Sequence, residues 1–306
     1  MLSICIPVYN VDVRKLVRDL KKQIDIADVY CQIIVIDDCS RNEIKQINSE
    51  IKNDCLYIQL SENIGRSAIR NSFLNYATCQ YLLFLDCDSA IISNDFVEHY
   101  LSFIKTNKPN IIVGASIYQT QIPDRSHRLR WYYSKNRESK SLIKRIGNPN
   151  IGFKTNNFVI DKDTFEGILF DDRLIGYGHE DTLFGYNLKK KGIQIHHIEN
   201  PVMNKILDSN ESFLSKTEEG IVSLVKILTL DYNILEFINQ VRLLSFYKRL
   251  FQNRILFILF KLTLPSRKLI ESILKRGILS LFLFDLFKLQ LLHNEITKRD
   301  LIHIIK

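Results

Sequence analysis

Three absences narrow the identity of this 306-residue chain. It carries six cysteines, Cys5, Cys31, Cys39, Cys55, Cys79 and Cys87, yet no two have CxxC spacing, which argues against a zinc finger or ribbon. Several lie inside apolar runs, where a thiol acts as a small hydrophobe, so the expectation is reduced core cysteines in a cytosolic protein. No stretch reaches the roughly eighteen uninterrupted apolar residues of a membrane-spanning helix. Met1 to Asn10 lacks the basic-then-apolar signature of a signal peptide. The expected location is cytoplasmic, with peripheral attachment to the inner face of the cell membrane left open. Internal repeats and low-complexity tracts are missing too, Trp131 is the single tryptophan, and glycine becomes scarce beyond about Leu207.

What is present is ordinary for a folded protein: 46% apolar and 25% charged residues support a packed core. A net charge of +8 points to an anionic partner, whether nucleic acid, a phosphate-bearing small molecule or an anionic membrane surface. The basic residues concentrate between Tyr118 and Asn150 and in the tail without a recognisable nucleic-acid motif, so nucleic acid is disfavoured.

Over the first two hundred residues, short apolar runs alternate with helical patterns. Leu2 to Pro7, Gln32 to Ile36, Leu56 to Leu60, Tyr81 to Leu85 and Ile111 to Val113 are expected to be buried strands. Val13 to Ile24, Arg66 to Ala77 and Asp95 to Lys105 are expected helices between them. Such alternation predicts an α/β fold with a mostly parallel sheet flanked by helices, and ligands at the carboxyl ends of its strands. Tyr118 to Asn150 breaks the pattern and is expected to be a long connection with helical pieces, either a lid or binding loop or a solvated insertion. The expected division is a catalytic domain at 1–206 and a basic, amphipathic, all-helical region at 207–306. In the latter, runs such as Ile255 to Phe260 and Ile278 to Phe284 are punctuated by cations, a pattern suited to an anionic membrane surface or to packing on protein.

Five segments carry candidate chemistry. The run Tyr81-Leu-Leu-Phe-Leu-Asp-Cys-Asp-Ser89 delivers Asp86 and Asp88 from a strand end, and residues two apart point to one side. Two hard oxygen ligands there suit Mg²⁺ or Mn²⁺ with positions left for diphosphate oxygens; the alternative is a simple turn. Asp37 and Asp38 end another strand, either facing a base and ribose or closing an Asx turn. Tyr9 and Asn10, after Pro7, offer an aromatic and an amide. Gly65 opens a helix whose Arg66 and Arg70 share one face, a phosphate site or a solvated basic face. Finally, Gly176-Tyr-Gly-His-Glu-Asp181 sets Glu180 and Asp181 after two glycines, with Asp181 either a general base or a helix N-cap. His196 and His197 are weaker candidates for a metal or the leaving diphosphate.

In order, Ile4–Asn10, Ile34–Ser40, Asn63–Asn71, Leu83–Asp88 and His179–Asp181 resemble the family 2 glycosyltransferases of the GT-A fold. The resemblance covers about residues 1 to 205. It implies an inverting transfer from a nucleotide-diphosphate sugar, a UDP-sugar foremost, to a glycan or lipid-linked hydroxyl in surface polysaccharide synthesis. It places Pro7, Tyr9, Asp37 and Asp38 near the base and ribose, Asp88 and Asp86 on the donor diphosphate with Mn²⁺ or Mg²⁺, and Asp181 as base. The helix start adds Gly65, Arg66 and Arg70 at the donor phosphates, and Glu180 stands beside the base or meets the acceptor. Relatives often carry a histidine after the turn that here reads Asn200-Pro-Val-Met-Asn204, so the third metal ligand falls to His196, to His197 or to water. Two rival functions remain. A sugar-phosphate nucleotidyltransferase would show a glycine-rich loop after the first strand, where Pro7-Val-Tyr-Asn10 stands. A degenerate, membrane-held binding module is opposed by the intact Asp86, Asp88 and Asp181.

Overall fold

The computed structural model describes residues 1–27, 29–150, 153–230 and 233–305. The chain forms two compact units. The first comprises Met1–Gln119, Ser139–Ile175 and Glu180–Ile206; the second comprises Thr120–Glu138, Gly176–His179 and Leu207–Lys306.

The first unit is α/β, as its alternating pattern predicts. Among the described residues its ten strands run β1 Leu2–Val8, β2 Cys31–Asp37, β3 Leu56–Gln59, β4 Tyr81–Leu85, β5 Ser89–Ile91, β6 Ile111–Val113, β7 Ser116–Ile117, β8 Asn157–Asp161, β9 Ile195–His197 and β10 Val202–Asn204. Seven of them make one sheet in the order β3-β2-β1-β4-β8-β6-β9. All its pairings are parallel except those of β8, which runs antiparallel between β4 and β6. Strand β8 is not among the expected strands, because its Phe158-Val-Ile160 run is too short to be distinguished from helix by pattern alone. Strands β5, β10 and β7 form a second, small sheet, with Asn204 opposite Ser89. These three are short and partly polar, so pairing rather than propensity makes them strands.

Both faces of the large sheet are covered. Ile4, Ile6, Leu83, Leu85 and Val159 face a layer containing Leu16, Leu20, Phe96 and Tyr100. On the other face Cys5, Ile34, Phe84 and Phe158 pack with Phe73, Phe165, Phe170 and Phe184. The expected helices appear at Arg14–Ala27, Gly65–Ser72 and Phe96–Asn107. The second of these is shorter than its pattern implied, tightening into a 3₁₀ turn over Phe73–Asn75. The thiols are free, with Cys5 and Cys79 fully in the core.

The second unit is helical, and it recruits half of the basic insertion. Arg128–Tyr133 is one of the helical pieces expected in Tyr118–Asn150, and its buried Trp131 shows that this part is not a solvated excursion. Asn210 fixes it locally: its Oδ1 accepts from Leu129 N–H (2.9 Å), and its Nδ2 donates to the carbonyls of Arg125 (2.8 Å) and Lys275 (3.1 Å). Gly277 is obligatory there, since its φ is +78° and a Cβ would stand 2.2 Å from the Arg125 carbonyl oxygen. Two long helices, Asn210–Ile227 and Leu281–Lys298, supply the core through Leu214, Ile221, Leu224, Phe284, Phe287 and Leu292. Ser209 and Ser280 cap them by accepting from N–H groups three residues on. Among the described residues no helix is long and apolar enough to cross a membrane.

Candidate active site

The carboxyl ends of β2 and β4 and the start of the Glu180–Lys190 helix carry the acidic candidates, and the carboxyl end of β1 carries Pro7 and Tyr9. Pro7 lies beyond the last β1–β4 pair, Cys5 with Phe84, a place where a strand tolerates a missing N–H. Tyr9 follows with its ring half exposed, and Asn10 takes a left-handed φ of +56°. Asn10 is held in this sparsely populated conformation from both ends: its N–H donates to Ser40 Oγ (2.7 Å) and its Oδ1 accepts from Arg41 N–H (2.9 Å). The loops after β1 and β2 are thus tied together.

Asp37 and Asp38 each find internal partners beside this tie, Asp37 in the Asx turn that is the alternative reading. Asp37 is fully buried, accepting from Ser40 N–H (2.6 Å) and the Tyr57 hydroxyl (3.2 Å). Asp38 accepts from the N–H groups of Ile64 (2.7 Å) and Gly65 (3.1 Å), satisfying two open donors of the Gly65–Ser72 helix from across the sheet end. Burial raises its carboxyl above the ordinary range even against those bonds. Gly65 itself has φ +82°, which explains the glycine.

That helix aims Arg66 and Arg70 at acids rather than at solvent. Arg70, almost wholly buried, donates from Nη2 to Asp86 Oδ1 (3.1 Å) and approaches Glu180 Oε1 at 3.6 Å from Nη1. Its guanidinium lies 5.7 Å from the centre of the Phe170 ring, a support that no motif in the sequence announces. Arg66 meets the same Glu180 oxygen at 3.2 Å while keeping half its side chain in solvent. One buried network therefore joins the turn after β4 to the acidic pair, across 114 residues of sequence.

Glu180 and Asp181 titrate in opposite directions. Burial alone would raise the Glu180 carboxyl, but the charges of Arg66 and Arg70 outweigh it and hold the group below the ordinary range. Asp181 is pushed up to about 6 by desolvation first and then by the neighbouring Glu180 charge. The Thr182 N–H (2.6 Å) and hydroxyl (3.2 Å) both bond its Oδ1, and the charge of Lys154 offsets part of the rise. Adjacent carboxyls driven apart in this way are the pattern of a permanent anion beside a proton acceptor poised near neutrality.

The loop before the pair, Gly176–His179, packs within the helical unit. Ser223 Oγ donates to the Tyr177 carbonyl (2.9 Å), and a Cβ on Gly178 would stand 3.2 Å from Gly220 Cα. Gly178 at φ +89° and His179 at +66° make a sharp reversal immediately ahead of the helix.

Asp86 and Asp88 occupy the turn between β4 and β5. The Lys205 N–H donates to the Asp88 carbonyl (3.2 Å), bringing the end of β10 against this turn. Beside it, Ser89 Oγ and Asn204 Oδ1 are buried without a hydrogen-bond partner, while Asn204 Nδ2 donates to the Tyr118 hydroxyl (3.3 Å). A buried amide oxygen left open is costly unless something fills it. His197 does not serve as a third metal ligand: it lies on edge strand β9, its Nε2 bonds the Pro149 carbonyl (2.9 Å) and its Nδ1 faces Arg145 (3.4 Å). Among the described residues no three His, Cys, Asp or Glu side chains are grouped as a metal would require.

The sequence profile of glycosyl transferase family 2 matches residues 3–168, more than half of the chain. The chain belongs to that family. Over 120 residues this family 2 chain is 35% identical to Glycosyltransferase GlyA of Streptococcus pneumoniae; the match spans 37% of the chain and only 16% of that protein. Among solved structures, S. aureus TarS 1-349 superimposes with a TM-score of 0.50 at 17% identity, covering 98% of this chain and 91% of that one. The same protein with UDP gives 0.50 at 19% identity, over 83% and 72% of the two chains. Glucosyl-3-phosphoglycerate synthase from Mycobacterium tuberculosis, solved with Mg²⁺ and UDP, gives 0.51 at 10% identity, covering 76% and 81%. At such identities these likenesses speak for the fold of this family 2 glycosyltransferase, not for its substrates.

Proposed function

We propose that this enzyme transfers a sugar from a UDP-sugar to a hydroxyl of a glycan or lipid-linked acceptor, with inversion, in surface polysaccharide synthesis. The observation that carries the reading is the opposed titration of Glu180 and Asp181, locked to Asp86 by the buried Arg70. Asp181, ionised at neutral pH and only partly shut from solvent, takes the acceptor hydroxyl proton as the oxygen bonds the anomeric carbon. The anomeric carbon–oxygen bond to the diphosphate breaks on the opposite face, and the nucleoside diphosphate departs with the electron pair. Arg66, half exposed beside the network, offsets charge on the departing phosphate. Tyr9 offers its open ring to the base.

A divalent cation fits this donor set: two carboxylates in one turn, with the open amide oxygen of Asn204 next to them, are all hard oxygens. Asp86, Asp88 and Asn204 would hold Mn²⁺ or Mg²⁺, which when bound makes the diphosphate a better leaving group. The basic helical tail would keep the enzyme at an anionic membrane where lipid-linked acceptors reside.

The deciding measurement is thermal stability against UDP-, GDP-, CMP- and dTDP-sugars, with and without Mn²⁺. A metal-dependent rise specific to UDP-sugars is expected, because a ligand bound only by the native state stabilises it. A well-folded sample that responds to none of them would make the chain a degenerate module.

A further inference from the structure

We infer that the face formed by the Arg254–Thr263 and Arg267–Lys275 helices inserts in the plane of an anionic phospholipid surface. This deepens the membrane-peripheral reading above by naming the contact face and the lipid class, and rests on that reading alone, not on the transfer chemistry. Within the helical unit the two apolar runs of the tail are both only partly sheltered, Ile278, Leu279 and Phe282 of the second being exposed, and the helices that carry them differ in how much they bury. The Leu281–Lys298 helix turns Phe284, Phe287 and Leu292 into the core. The Arg254–Thr263 helix buries only Phe260 and leaves Ile255 72%, Leu256 49%, Ile258 59%, Leu259 54% and Leu262 72% exposed. Ile255, Ile258, Leu259 and Leu262 recur at three- and four-residue spacing, so they form one continuous stripe. Leu269 on the next helix is 64% exposed as well. Solvated stripes of this kind are not how a helix meets water; they mark a surface meant to be covered.

Charge decides what covers it. Between Arg242 and Arg276 the chain has nine cations and a single acid, Glu271. Within that span only Arg267 and Lys275 form ion pairs among the described residues. A second copy docking through the same face would bring cations against cations, since a two-fold contact sets a patch against itself. An anionic lipid surface complements both features, taking the aliphatic stripe at the acyl boundary and the cations among the headgroups. Ten residues of helix extend about 15 Å, half of the hydrocarbon thickness, so the helix lies along the surface rather than across it.

The test is flotation of the full chain with phosphatidylcholine vesicles, with and without phosphatidylglycerol. Binding is expected only with phosphatidylglycerol, weakening as salt rises. The doubly substituted Ile258→Glu, Leu262→Glu chain should lose at least tenfold in partitioning, and Arg254→Glu, Lys268→Glu a comparable amount. Both variants should keep their melting temperature and their response to UDP, because none of these side chains is in a core or at the nucleotide. Absence of binding by the parent chain, or undiminished binding by Ile258→Glu, Leu262→Glu, would overturn the inference. So would a lipid-free dimer that the same substitutions dissociate, since the occupant would then be a second copy. Vesicle binding without any nucleotide response would sink the transfer reading and leave this one standing; the converse would do the reverse.

Discussion

The α/β unit and the helical unit spend their unusual residues in opposite ways. In the first, polar groups that normally prefer water are buried and matched: Asp37, Asp38, Arg70 and Glu180 are each enclosed, and each has named partners. In the second, apolar groups that normally avoid water are left outside on the Arg254–Thr263 helix. Burying charge is expensive and is tolerated where geometry must be fixed. Exposing aliphatic surface is equally anomalous and is tolerated where an outside phase will cover it. The contrast teaches where each proposal rests: the site on misplaced charge in one unit, the attachment on misplaced hydrocarbon in the other.

Substitutions that break this contrast should fall in a definite order. Asp181→Asn should lower the transfer rate by about a thousandfold, the scale of losing a general base, while UDP binding measured by calorimetry stays within a few-fold. Parallel loss of both would reassign Asp181 to donor binding. Arg70→Met should cost about 3–5 kcal/mol in urea denaturation, because Glu180 keeps a buried charge with only the half-exposed Arg66 against it. A loss below about 1 kcal/mol, the scale of a surface pair, would mean that the network is solvated.

The raised carboxyl of Asp181 makes a pH prediction whose sign is definite. A folded-state value near 6 against an ordinary one near 3.8 means that the folded chain binds the extra proton between them, so this group's contribution to stability falls as pH rises through that window. Asp181→Asn should therefore be more stable than the parent at pH 7 by up to about 3 kcal/mol, with the advantage vanishing below pH about 4. Equal melting temperatures at all pH would show Asp181 unshifted. Transfer activity should rise with pH through about 6 as the base ionises.

Smaller effects sharpen the comparison. Asn204→Ala should weaken Mn²⁺ binding, followed by electron paramagnetic resonance, by about tenfold, the lower end for metal-supporting groups. Asn204→His should favour Mn²⁺ over Mg²⁺, since imidazole is the softer ligand; identical metal affinities in all three proteins would remove Asn204 from the site. Smallest of all, Leu262→Ser in lipid-free solution should change stability by less than about 0.5 kcal/mol. Phe287→Ala in the same unit's core should cost about 3–5 kcal/mol.

Much of the first unit was legible before its coordinates. The strands at Leu2, Cys31, Leu56, Tyr81 and Ile111 announce themselves as short apolar runs bounded by turns, and their order with intervening helices dictates a parallel sheet. Strands β5, β7, β9 and β10, two or three residues each, were not legible, because their backbone donors and acceptors find partners only across the fold. Asp86, Asp88, Glu180 and Asp181 stood out as paired acids at element ends. Phe170, Lys154 and Asn204's open oxygen did not, since nothing in their local sequence marks a ring under a guanidinium or an unpaired amide. His197 and the Asp37/Asp38 pair were placed at ligands by residue type, and packing assigned them other partners.

By itself, then, the sequence determined the local terms: periodicity, turn chemistry, the order of the acidic motifs and the one-sided charge of the tail. These follow from residues within a few positions of one another. Only the tertiary structure decided which acid is held below the ordinary carboxylate range and which is pushed above it, and which apolar side chains of the tail are sheltered. Both depend on desolvation and on charges a few ångströms away, supplied by residues such as Arg66 and Glu180 that lie 114 positions apart.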